Sequence, residues 1–105
     1  MKLAVLVREQ KVSPWLDPPH QLWIVNLEEG KQIDRRQYYL EEPSLTAEVK
    51  KLRELGVKIL ICEAISHQTM AQFQAADIQV IPCIGGNFHE VLCAFCEGGM
   101  SDFVV

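Results

Sequence analysis

Val57-Lys58-Ile59-Leu60-Ile61-Cys62 and Gln79-Val80-Ile81-Pro82-Cys83 decide the fold, because each is a short β-branched run followed by a polar turn and a helical pattern. After the first comes the turn Glu63 to His67, and after the second Ile84-Gly85-Gly86-Asn87. Strands that alternate with helices in this way lie parallel, and a parallel sheet takes its ligands in the crevice beyond the carboxyl ends of its strands. Each of the two runs ends in a cysteine, so Cys62 and Cys83 fall where a site is expected.

Outward from this stretch, Leu3 to Val7 is a continuous apolar run, the pattern of a central strand buried on both faces. Lys11 to His20 carries Pro14, Pro18 and Pro19 and is expected to be a loop. Gln21 to Leu27 is a second strand, Glu28-Glu29-Gly30 a turn, and Lys31 to Leu40 a third strand. In that third strand Ile33 stands among Asp34, Arg35 and Arg36, charges that suit an exposed sheet edge. Pro43-Ser44 opens the first helix, buried through Val49, Leu52 and Leu55, and Gly56 ends it as a left-handed cap. Ser66 is the expected cap of the second helix, with Met70 and Phe73 inward, and Asp77 takes the tight turn into Ile78. Asn87 with Glu90 resembles a capping box for a third helix striped by Phe88, Leu92 and Phe95.

The element order is βββαβαβα. Right-handed crossovers and uncrossed connections then favour an α/β fold with a five-stranded mixed sheet of order 3-2-1-4-5, strand 2 antiparallel, and three helices, which is the ribonuclease H-like arrangement. At 105 residues the chain is expected to be a single domain, 1–105, with 101–105 a loose tail. The net charge of −4 and the lack of a basic cluster argue against nucleic acid as a partner. Only five apolar residues, Leu3 to Val7, precede Arg8, too few for a signal-peptide core or a membrane span, so a cytoplasmic protein with reduced cysteines is expected.

This topology brings Ser13, Asp17, His20, Cys62, Glu63, Ser66, His67, Cys83 and Asn87 to one edge of the sheet. Cys62 and Cys83 lie 21 positions apart on neighbouring strands, where their sulfurs could ligate one metal centre with His67 or His20 completing the shell. Buried cysteines also serve simply as small core residues, and surface histidines are common, so both readings stand. Gly85-Gly86 before Asn87 offers either backbone amides to an anion or an ordinary tight turn. Cys93-Ala94-Phe95-Cys96 falls well inside the third helix, away from the N-terminal dipole that activates a thioredoxin-type cysteine, and reads as structural, with Cys93 toward solvent and oxidisable.

Two-metal nuclease chemistry needs clustered carboxylates, one usually on the first strand, and Lys2 to Val7 has none. Nucleophile elbows and phosphate-binding loops are missing too, so a binding role is expected rather than an enzyme.

Three segments resemble the dinitrogenase iron-molybdenum cofactor biosynthesis family, the NifX-like proteins and the matching domain of NifB-type proteins. They are Lys2-Leu3-Ala4-Val5 with Lys11-Val12-Ser13-Pro14; Leu55-Gly56-Val57 to Cys62-Glu63-Ala64-Ile65-Ser66; and Ala75-Ala76-Asp77-Ile78-Gln79-Val80 through Glu90-Val91-Leu92 to Gly98. The resemblance implies a ribonuclease H-like domain that binds the iron-molybdenum cofactor or an iron-sulfur cluster precursor and carries it between metallocluster assembly proteins in nitrogen fixation. Ser13, His20, Cys62, Ser66, His67, Cys83, Gly85 and Gly86 are the expected cofactor-binding residues, with Cys62, Cys83, His20 and His67 as metal ligands. The family's His-Phe-Gly in the first loop is replaced here by Trp15-Leu16-Asp17, with His20 five positions beyond Trp15. Asp77 stands where the family often has glycine. The alternative is a metal-free interaction or regulatory module that uses the Pro-rich loop, with Trp15 as its anchor and Trp23 as a second candidate; a thiol oxidoreductase on Cys93 and Cys96 is a third reading.

Overall fold

The structure, a computed structural model, describes residues 1–13, 21–39 and 45–104. Its centre is β1 (Lys2–Arg8), where Leu3 to Leu6 are wholly buried. The run is apolar at every position because helices cover both sides of the sheet. Ala4 and Leu6 join one core with Leu52 and Phe73, whereas Leu3, Val5 and Val7 join another with Phe88, Val91 and Leu92.

Around β1 are β2 (Lys11–Val12), β3 (Gln21–Glu28), β4 (Lys31–Tyr39), β5 (Val57–Ile61) and β6 (Gln79–Ile81). The sheet runs β4-β3-β1-β5-β6, with β3 antiparallel to β1 and to β4, and β5 parallel to both β1 and β6. The five main strands thus take the expected order 3-2-1-4-5. Helices α1 (Leu45–Glu54) and α2 (His67–Ala75) lie on one face, and α3 (Phe88–Cys96) on the other.

The strand β2 was not expected. Lys11 and Val12, expected in the loop, pair with Arg8 and Val7 through a two-residue turn, in which Glu9 and Gln10 have φ of 52° and 66°. This is a hairpin turn of the primed type without its usual Asn or Gly, so its composition does not announce it. Tertiary bonds hold it: Val12 N–H donates to the Gly86 carbonyl at 2.9 Å, and Phe88 N–H donates to that of Gln10 at 2.8 Å.

The loose tail is also corrected. Ser101–Phe103 form a turn of 3₁₀ helix, and Val104 bridges to Ile84. Phe103 packs against the α3-side core over Gly86, where a Cβ would approach its Cδ1 to 2.9 Å. The bare backbone at Gly86, with φ of +124°, is what admits the ring. Among the described residues, no helix is long and apolar enough to cross a membrane.

Candidate functional site

Beyond the last regular pair, Ile61 with Ile81, the β5–β6 ladder is irregular. Cys62 N–H donates to the Ile81 carbonyl at 3.2 Å, and the Cys62 carbonyl accepts from Ile84 N–H, also at 3.2 Å. A regular parallel ladder would have the Cys62 carbonyl accept from residue 83. Instead Cys83 N–H turns to the Glu63 carbonyl, at 2.9 Å, and Cys83 takes φ of +64°. One extra residue has been inserted, as in a β-bulge, a device that re-aims a side chain at the end of a ladder. It leaves Cys83 exposed beside a wholly buried Cys62.

Ser13 closes the other flank, its N–H donating to the Leu6 carbonyl at 2.8 Å and its carbonyl accepting from Glu63 N–H at 3.3 Å. Ser13, Cys62, Glu63 and Cys83 therefore meet on the edge formed by the carboxyl ends of β1, β5 and β6, as topology requires. Ser66 caps α2, its hydroxyl accepting from Thr69 N–H at 3.1 Å, and His67 is exposed as the first helical residue. Asn87 caps α3 in the same manner, accepting from His89 N–H at 2.9 Å and Glu90 N–H at 3.3 Å. Asp17 and His20 lie outside the described residues, as do Pro14, Trp15, Pro18, Pro19, Pro43 and Ser44.

The two cysteines are chemically unequal. Burial, and secondarily the charge of nearby Cys83, pushes the Cys62 thiol up to about 12, so it is protonated at neutral pH. In this state it is a core residue alongside Leu6, Leu60 and Phe73, not an open ligand. At the Gly85-Gly86 turn, Gly85 N–H donates to the Phe103 carbonyl at 2.8 Å, so that amide is already taken. Among the described residues, no three His, Cys, Asp or Glu side chains gather in a group that would hold a metal ion.

On the opposite face, Trp23 is half-buried and stacks on Phe88, with ring centroids 5.5 Å apart, and does not project as an anchor. Arg35 lies over the Phe88 ring at 5.7 Å and its Nη1 donates to His89 Nδ1 at 3.0 Å, which occupies the histidine that had least claim to a site. Cys93 is exposed and Cys96 half-buried, as helical phase predicts, and burial raises the Cys96 thiol above its ordinary value.

One titratable group escaped the sequence reading. Glu48, in the first turn of α1, is 3% exposed, and burial pushes its carboxyl up to about 7. It lies four residues before Leu52, on the buried stripe, and that spacing was the available sign. Because α1 runs back along β5, Glu48 belongs to the end of the helix nearer the cysteines.

The fold is shared with solved structures. PH0822 superposes with a TM-score of 0.86 at 17% identity, covering 95% of this chain and 92% of that one. The crystal structure of mj0327 from Methanocaldococcus jannaschii, provisionally assigned as a dinitrogenase, gives 0.76 at 20% identity over 93% and 89%, and its NMR structure gives 0.75 at 19% over 93% and 88%. No curated protein matches the chain in sequence. Residues 1–98 match the family model described as dinitrogenase iron-molybdenum cofactor, and since that match spans nearly all of the elements described above, the chain belongs to this family.

Proposed function

We propose that this protein binds an iron-molybdenum cofactor or an iron-sulfur precursor at the carboxyl edge of β5 and β6 and carries it between assembly proteins. The observation that supports this most is the bulge at Cys83. It sets an accessible sulfur at the edge where parallel sheets take ligands, at the expense of a left-handed backbone that a non-glycine residue adopts reluctantly. Soft thiolates suit iron-sulfur cargo.

In this reading Cys83 is the first ligand. Cys62, one strand away, joins only when metal displaces its proton, so metal uptake releases protons and strengthens with pH. His67 is exposed at the start of α2 and is a further donor within reach of loop movement, with His20 as the other candidate from the Pro-rich loop. In this reading the site is a place of binding, with Cys83 exposed at the edge and Cys62 buried one strand away.

Anaerobic reconstitution with iron and sulfide, followed by absorbance and metal analysis, tests the reading. Stoichiometric iron in the native chain and loss of most of it in Cys83→Ser is the expected result. Sub-stoichiometric iron together with no uptake of preformed cofactor overturns it.

A further inference from the structure

We infer that Cys62 and Cys83 form a reversible disulfide by exchange with a small-molecule disulfide such as oxidised glutathione, and that this bond closes the sheet edge to metal. The closing of the edge rests on the cargo reading above; the disulfide itself does not.

Two backbone hydrogen bonds clamp the Cys62-Glu63 and Cys83-Ile84 segments together, Ile84 N–H donating to the Cys62 carbonyl at 3.2 Å and Cys83 N–H to that of Glu63 at 2.9 Å. Neighbouring strands lie about 4.8 Å apart, and a disulfide needs Cα atoms about 4.4–6.8 Å apart. The pair has an outer and an inner member, Cys83 exposed and Cys62 buried. Their thiols sense each other's charge, since Cys83 helps to raise Cys62. The arrangement is that of an attacking thiol backed by a resolving one.

In the first step the Cys83 thiolate attacks one sulfur of glutathione disulfide. Its S–S bond breaks, one glutathione thiolate leaves, and Cys83 carries the other as a mixed disulfide. In the second, the Cys62 thiol gives its proton to solvent and its sulfur attacks that of Cys83, expelling the second glutathione. Two cysteine thiols are oxidised and one glutathione disulfide is reduced to two thiols. Once the bond is made, neither sulfur has an electron pair to give as a thiolate, and an iron cluster finds no ligand there. Reduction reopens the edge.

The cysteines can be separated cleanly for the test. No lysine or arginine follows Lys58, so trypsin leaves all four on one peptide, whereas cleavage after Glu54, Glu63, Glu90 and Glu97 puts Cys62, Cys83 and the Cys93/Cys96 pair on three. Reduced protein is incubated with oxidised glutathione, quenched with an alkylating agent in denaturant, and mapped by mass. The expected product is a Cys62–Cys83 linked pair of peptides, and the Cys93→Ser/Cys96→Ser double variant still forms it. Cys62→Ala should stop at a stable glutathione adduct on Cys83. An adduct that persists on Cys83 in the native chain, or a bond formed only between Cys93 and Cys96, overturns the inference. Iron loading of the reduced protein separates the two readings: a disulfide without iron uptake when reduced sinks the cargo proposal alone, and iron uptake without a disulfide sinks this one alone.

Discussion

Replacing Cys83 with glycine should make the protein more stable. Cys83 has φ of +64° and an exposed side chain, so the residue bears the steric penalty of the left-handed region while burying little. That penalty is about 1–2 kcal/mol for a residue with a Cβ. Glycine escapes it but loses about 0.5–1 kcal/mol to the greater freedom of its unfolded chain. The net expectation for Cys83→Gly is a gain of about 0.5–1 kcal/mol. In a domain of this size each kcal/mol moves the melting temperature by about 4–8 °C, so the midpoint should rise by about 2–8 °C in calorimetry or thermal circular dichroism. Cys83→Val, which adds β-branching where the backbone is already crowded, should lower it. A midpoint that falls in the glycine variant while valine is tolerated would refute the bulge geometry itself. In the cargo reading the glycine variant is also the one that loses metal, and gain of stability with loss of iron in a single substitution is the pattern of a residue retained for function.

Gly86→Ala should cost about 1–3 kcal/mol, because φ of +124° is closed to alanine and the new Cβ would meet Phe103 Cδ1 at 2.9 Å. Urea denaturation gives the value, and a smaller penalty in a Phe103→Ala background would apportion it between clash and backbone. Glu48 makes stability depend on pH: its folded value of about 7 is above the ordinary 4.5, so the folded state holds its proton more tightly. Its contribution is fully present below pH 4.5 and is lost as pH rises through 7, which at about 1.4 kcal/mol per unit bounds the loss at about 3 kcal/mol. Glu48→Gln should flatten that slope in denaturant titrations at pH 5 and 8, and an unchanged slope would rule Glu48 out as its source. Iodoacetamide on the native, reduced protein should label Cys83 and Cys93 quickly and leave Cys62 unlabelled until the chain unfolds. Cys62→Ser should cost about 1–3 kcal/mol, since a hydroxyl replaces a thiol in an apolar core.

The sequence by itself determined the sheet. Four apolar runs and one charged edge strand, with two of the runs alternating with helices, admit one economical order once crossover handedness is imposed, and β4-β3-β1-β5-β6 is that order. Local chemistry likewise announced Ser66, Asn87, Gly56 and Asp77, because caps and left-handed turns are made by a residue and its immediate neighbours. Cys62 and Cys83 were legible as residues of one edge for the same reason: strand ends follow from strand order. Their difference was not. That one sulfur is sealed in the core and the other turned outward depends on a single inserted residue in the β5–β6 ladder, and a bulge is defined by what the partner strand does. The β2 hairpin and the docked Phe103 belong to the same class. Gln10, Val12 and Gly85 make hydrogen bonds whose partners lie in distant elements, and no pattern along the chain encodes them. Only the tertiary structure decided that the glycine turn donates its first amide to the tail instead of to a ligand, since a backbone amide has one hydrogen and the nearest carbonyl in space takes it.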